Sequence, residues 1–276
     1  MGRVKRAVKI ILVIAASILI FPCIYLVLCS FMSPNEVLRY YGADQQHYFF
    51  HFFPDMPTLS SYYQVFLRRP DYLIKFWNSM LFSGTICVGQ VFISVLAGFA
   101  LAKLYIPFKN IVVFFITLMM LMPIQVSLVS NYVIMSEFHL LDSYLAIILP
   151  AIFSAFGVFL MYEYFSKMPE ELIEAAQLDG ANYFKILWRI AVPYAKPAWS
   201  AVIVLAFIDA WNMVEQPLIF LQDKNKYPIS VFLANNLEQN MSLAFVCGVL
   251  ALLPPALLYL YFKDELLDGI SEATIK

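Results

Sequence analysis

Charge is what this sequence has least of. Only 13% of its 276 residues are Asp, Glu, Lys or Arg, 62% are hydrophobic, and the mean hydropathy is +0.76. That balance excludes a soluble domain of this length and implies a membrane protein. The net charge of −1 excludes a general attraction to nucleic acid, so the information lies in where the charges fall. Cysteine is scarce as well: Cys23, Cys29, Cys87 and Cys247 all sit in apolar runs, which supplies neither a disulfide framework nor a clustered ligand set. His47 and His51 stand four apart and would share one helical face, as a zinc site requires, but a pair falls short of a ligand set. The stretch is therefore read as an aromatic external loop, with no metal assigned. The chain also lacks a GxxxxGK[ST] phosphate loop, an HExxH helix and a GxSxG turn. No catalytic residue is assigned, and any energy source has to be another polypeptide.

What is present is a series of apolar runs long enough, at about 1.5 Å per helical residue, to cross a bilayer. The hydropathy predicts an all-α membrane protein with six transmembrane helices, from about Ile10 to Phe31, Asn78 to Leu104, Ile111 to Val133, Tyr144 to Phe165, Pro197 to Val214 and Ser242 to Phe262. The first run continues through Pro22, Tyr25 and Leu28 with no small-residue cleavage site, so it reads as a retained span. In the second, Ser94, Gly98 and Ala102 recur every fourth residue, a stripe that lets another helix approach closely. In the third, Pro123 interrupts the helix with Gln125, Ser127, Ser130 and Asn131 just beyond. Such breaks are tolerated where protein or a water-filled cavity satisfies the freed groups. Pro123, Gln125 and Ser127 are thus pathway candidates, together with Asp209, Trp211 and Asn212 of the fifth span. Asp209 could equally bond Asn212, three residues on, and Trp211 could equally be a packed aromatic.

Six spans put both termini on one side, and charge selects the side. The segments grouped with the N-terminus hold 12 of the 18 basic residues, from Arg3, Lys5, Arg6 and Lys9 through Lys103, Lys109, Lys167, Lys185, Arg189 and Lys196 to Lys263 and Lys276. By the positive-inside rule these segments are expected in the cytoplasm.

One of them, residues 166–193, contains a polar, patterned segment long enough for two short helices: EELIEAAQLDGANYFKILWRIAVP over Glu170 to Pro193. Pro169 suits a first helical turn, and Glu170, Glu171 and Glu174 favour the positive end of the helix dipole. Leu172, Ile173, Ala175 and Ala176 are expected on the inner face of a helix ending at Leu178. Gly180 can turn the chain through positive φ into a second short helix with a polar stripe of Asn182, Lys185 and Arg189. Glu174, Ala175, Ala176, then Gly180, Ile190, Val192 and Pro193 resemble the Glu-Ala-Ala loop of ABC importer membrane subunits, with Val192 where the pattern has Leu. Asp179 and Ala181 resemble the form seen in the carbohydrate-importer branch.

The resemblance extends over most of the chain, to the second, smaller permease of maltose-type importers. It includes Ser30 to Val37, Pro57, Thr58, Leu59, Tyr62, Tyr63, Asn78, Ser79, Pro123, Pro217 and Leu218, and loosely Gly269, Ile270 and Lys276. Glu272 and Thr274 depart from the glycine-rich ending of many members. The resemblance implies a coupling role for Glu174, Ala175, Ala176, Leu178, Asp179 and Gly180. It implies a second permease, an ATPase dimer that uses ATP and magnesium, an extracytoplasmic solute-binding protein and a sugar substrate, with this chain in the bacterial cell membrane. It leaves open an importer for amino acids, polyamines or phosphate, and more remotely a non-transporting membrane protein.

Overall fold

The computed structural model describes residues 2–41, 51–68, 70–236 and 240–274; His47 lies outside them. Every regular element among these residues is helical. Four helices are long and apolar enough to cross a bilayer: Val8–Ser30, Asp71–Lys103, Tyr144–Ser166 and Met241–Leu267. Two bent pairs, Lys109–Met120 with Gln125–Glu137 and Tyr183–Tyr194 with Lys196–Trp211, raise the number to as many as six if each pair is one span.

The breaks fall where the sequence withholds a backbone donor or turns polar. Pro123 stands ahead of the helix starting at Ile124, and the two arms there meet at 102°. The helix Tyr144–Ala151 ends one residue after Pro150; Gln90 Nε2 donates to the Ala151 carbonyl, left free at that end, at 2.8 Å, and Ser154 caps the next helix at Gly157 N. The long helix Pro70–Lys103 begins well before Asn78, with Pro70 at its first position and Asp71 in its first turn. Hydropathy marks only the apolar part of such a helix.

The chain divides into two compact units, Met1–Phe76 with Val231–Pro254, and Trp77–Ser230 with Pro255–Lys276. In the first, the apolar helix Val8–Ser30 has none of its most apolar window buried within this chain, so lipid or another subunit has to cover it. It leads into a reciprocal capping box: Glu36 N donates to Ser33 Oγ, and Ser33 N donates to Glu36 Oε2, with Pro34 opening the helix Pro34–Tyr41. Cys29, Met32 and Val37 are buried behind it with Tyr25, Tyr41 and Phe245.

In the second unit the small-residue stripe does what its spacing predicts. A Cβ on Gly98 would lie 2.6 Å from Met161 Cβ and 2.8 Å from Tyr162 N, and one on Gly157 would lie 2.5 Å from Ser94 Oγ. Helices Pro70–Lys103 and Ala155–Ser166 therefore meet nearly backbone to backbone. Asn78 and Ser79 hold the opposite end. Asn78 Nδ2 donates to the Asn225 and Tyr227 carbonyls and its Oδ1 accepts from Tyr144, while Ser79 Oγ accepts from Ile229 N.

Asp142, at φ +56°, closes that end as well. It accepts from Gln222 N and Asp223 N, and Lys226 Nζ lies 3.0 Å from its Oδ2. The Asp223 amide, the Lys226 ammonium and the Gln222 amide hold its carboxyl down to about 2, below the ordinary 3.8. Because the folded value is the depressed one, this stabilisation is complete above the unfolded value and is lost as pH falls through the folded one. Asp142→Asn should lower the thermal denaturation midpoint at neutral pH, and the gap to the native chain should close between pH 4 and 2. A gap that persists unchanged at pH 2 would show that the carboxylate charge is not responsible.

Candidate functional site

The polar stretch forms the expected pair of elements. Pro169 directly precedes the helix Glu170–Leu178, one position earlier than expected, and Glu170 and Glu171 fill its first turn. Gly180, at φ +78°, ends it in a Schellman arrangement: Gly180 N donates to the Gln177 carbonyl and Ala181 N to the Ala176 carbonyl, both at 2.9 Å. Asn182 then caps Lys185 N and opens Tyr183–Ile186.

The inner face is narrower than the sequence suggests. Only Ile173 and Ala176 are buried, in a cluster with Phe99, Met161, Phe165, Met168, Ile186 and Leu187; Leu172 and Ala175 are exposed. A short helix resting on a rounded cluster contacts it through a single i, i+3 stripe. The other side presents Leu172, Ala175 and Leu178 beside Glu171 and Glu174, with Leu178 90% exposed. A leucine that projects so far, flanked by carboxylates, is the make-up of a docking knob with a charged surround. Lys103 steadies the base by donating from Nζ to the Met168 carbonyl at 2.7 Å.

The pathway candidates divide. Gln125, Ser127, Asp209 and Asn212 line a cavity of about 520 Å³, within the ~300–1,000 Å³ typical of small-molecule sites. Pro123 and Trp211 do not. Pro123 acts by breaking the helix, which turns Gln125 and Ser127 onto the cavity wall. Trp211 is 3% exposed and stacks on Phe207 with ring centroids 5.4 Å apart. Asn212 Nδ2 donates to the Ile208 carbonyl one turn back.

The cavity also takes in Gln90, Asn131, Ser154, Glu215 and Gln216. Gln125 Nε2 approaches both Glu215 oxygens at 3.4 Å. Gln216 is 6% exposed, and its buried Oε1 has no hydrogen-bond partner among the described residues. Gln90 and Ser154 were not singled out in the sequence. A lone amide within an apolar span, one turn before the Ser94 stripe, was the available signal for Gln90. The wall thus offers amides, hydroxyls and two carboxylates and, among the described residues, no basic side chain.

The polar cavity and the exposed, acid-flanked helix Glu170–Leu178 belong to the same compact unit. Residues 90–266 match the family described as "Binding-protein-dependent transport system inner membrane component". The chain belongs to that family. As a permease of this family it is a multi-pass membrane protein, and it is similar over nearly its whole length to curated relatives. It is 28% identical over 275 residues to the arabinooligosaccharides transport system permease protein AraQ of Bacillus subtilis, covering 99% of this chain and 96% of that one. It is 27% identical over 201 residues to the sn-glycerol-3-phosphate transport system permease protein UgpE of Yersinia pestis, covering 71% and 72%. A solved structure of a bacterial ABC transporter that imports the acidic polysaccharide alginate superposes on this permease with a TM-score of 0.80. The identity there is 25%, over 95% of this chain and 96% of that one.

Proposed function

We propose that this permease is one of two membrane subunits of a binding-protein-dependent ABC importer for a neutral oligosaccharide or polyol. The observation that carries the reading is the cavity wall, rich in amide, hydroxyl and carboxylate groups and, among the described residues, without a cation. Sugar hydroxyls both donate and accept, which matches such a wall. The unpartnered Gln216 Oε1 is an acceptor that a substrate hydroxyl or a water satisfies. Two carboxylates disfavour a phosphate ester or a uronate by like-charge repulsion, although named relatives carry such solutes.

The exposed face of Glu170–Leu178 docks on a cytoplasmic ATPase, with Glu174, Ala175, Leu178, Asp179 and Gly180 at the contact and Ala176 anchoring the helix from below. ATP and magnesium belong to that partner, and both termini lie on its side of the membrane. A second permease completes the path, and an extracytoplasmic binding protein delivers the substrate.

The test is ATPase activity of the reconstituted complex with its binding protein, against neutral oligosaccharides, uronates, glycerol phosphate and polyamines. Stimulation by a neutral sugar is the expected result. Asp209 and Glu215 also favour a second reading, a polyamine or other cationic solute, and stimulation by a cation alone would establish it.

A further inference from the structure

In the first unit, three side chains from separate places converge outside the permease machinery: Glu36 on the helix Pro34–Tyr41, and His51 and Asp55 from the chain that follows. His51 Nε2 lies 3.3 Å from Asp55 Oδ1 and 3.6 Å from Glu36 Oε1, and the three potential donor atoms all lie within 4.8 Å of one another. Tetrahedral zinc with bonds of about 2.0–2.2 Å sets its ligands about 3.3–3.6 Å apart. From these distances we infer that Glu36, His51 and Asp55 form a binding site for a zinc-class divalent cation, with water as the fourth ligand.

Three further features point the same way. His51 Nε2 is buried and has no hydrogen-bond partner among the described residues. Both carboxylates accept hydrogen bonds from neighbouring groups, and the histidine is held through its ring face and its backbone carbonyl. Tyr40 Oη donates to Asp55 Oδ2, which leaves Oδ1 free, and the Tyr40 ring stacks on the imidazole at 4.0 Å and 7°. Asp55 N donates to Glu36 Oε1, Ser33 N donates to Oε2, and Tyr41 Oη donates to the His51 carbonyl. The donor set also selects the ion. One imidazole with two carboxylates suits zinc, whereas calcium takes six to eight oxygens. Arg39 Cζ lies 5.7 Å from the Tyr40 ring centroid and forms no ion pair with these carboxylates among the described residues. Asp55 stands four residues after His51 in the sequence, whereas Glu36 arrives only through the fold.

A bound ion would staple residues 51–55 to the capped helix. The experiment uses the purified full-length chain within its transport complex, stripped by chelation and titrated with zinc ion alone. One zinc per copy of this chain is expected. His51→Gln and Asp55→Asn should each remove that zinc, and Tyr40→Phe should weaken it by about 10-fold, as loss of a supporting hydrogen bond does elsewhere. Asp55 is half exposed and Glu36 keeps its capping box in both ligand variants, so ATPase activity serves as the check on their integrity. Equal zinc retention by the native and variant complexes would overturn the assignment. So would X-ray absorption showing sulfur around the ion, which would place it on a cysteine such as Cys29, or no zinc uptake above the other subunits.

Discussion

Replacing Glu174 with alanine should leave the permease folded and inserted but cut substrate-stimulated ATPase activity of the assembled complex by about 10-fold or more. The carboxylate is exposed and touches nothing in the core, so stability has little stake in it. A charge-assisted hydrogen bond to a partner arginine contributes about 1.5–3 kcal/mol, and tenfold corresponds to 1.4 kcal/mol. Gly180→Val should do the same by another route. No neighbour lies within 4 Å of a Cβ there, so crowding is not the cause; a β-branched residue is strongly disfavoured at φ +78°. The Schellman ending would open, and the second helix would leave at a different angle. Substrate-stimulated ATPase measured beside complex assembly decides it. Full stimulation in Glu174→Ala would remove the docking role, and a failure of assembly would show that Glu174 contributes to the association itself rather than to transmission.

Gly98→Ala should destabilise the permease, whereas Gly84→Ala in the same helix should not. In an exposed helix either change would gain up to ~1 kcal/mol of helix propensity. At Gly84 the new methyl meets nothing within 4 Å. At Gly98 it would lie 2.8 Å from Tyr162 N and 2.9 Å from the Met161 carbonyl carbon, and backbone cannot rotate away as a side chain can. Overpacking of this kind costs about 1–3 kcal/mol, which outweighs the propensity gain. The consequence reaches the helix Glu170–Leu178, because Val95, Phe99, Met161 and Phe165 of this crossing belong to the cluster that seats Ile173 and Ala176. Coupling should therefore weaken together with the melting midpoint. A Gly98→Ala protein as stable as Gly84→Ala would mean that the two helices do not meet so closely.

The membrane class, several apolar helices, the polar helix Glu170–Leu178 and its turn at Gly180 were legible in the residues alone. Those features depend on short-range patterns: unbroken apolar runs, Pro at a break, and a glycine where φ has to be positive. The stripe of Ser94 and Gly98 was likewise readable as a close contact, though not the helix it meets. Which polar groups share a space depends on the fold. Gln125 and Glu215 are 90 residues apart, and Gln90 joins them because the helix ends at Ala151 and leaves the carbonyl it binds without an intrahelical partner. It moved Trp211 from the pathway into the packing, because a half-turn of helix separates cavity from core. It also narrowed the inner face of the docking helix to Ile173 and Ala176, since a curved support touches one stripe. Helical period and hydropathy are local properties of the chain. Burial and convergence depend on neighbours that the fold alone supplies.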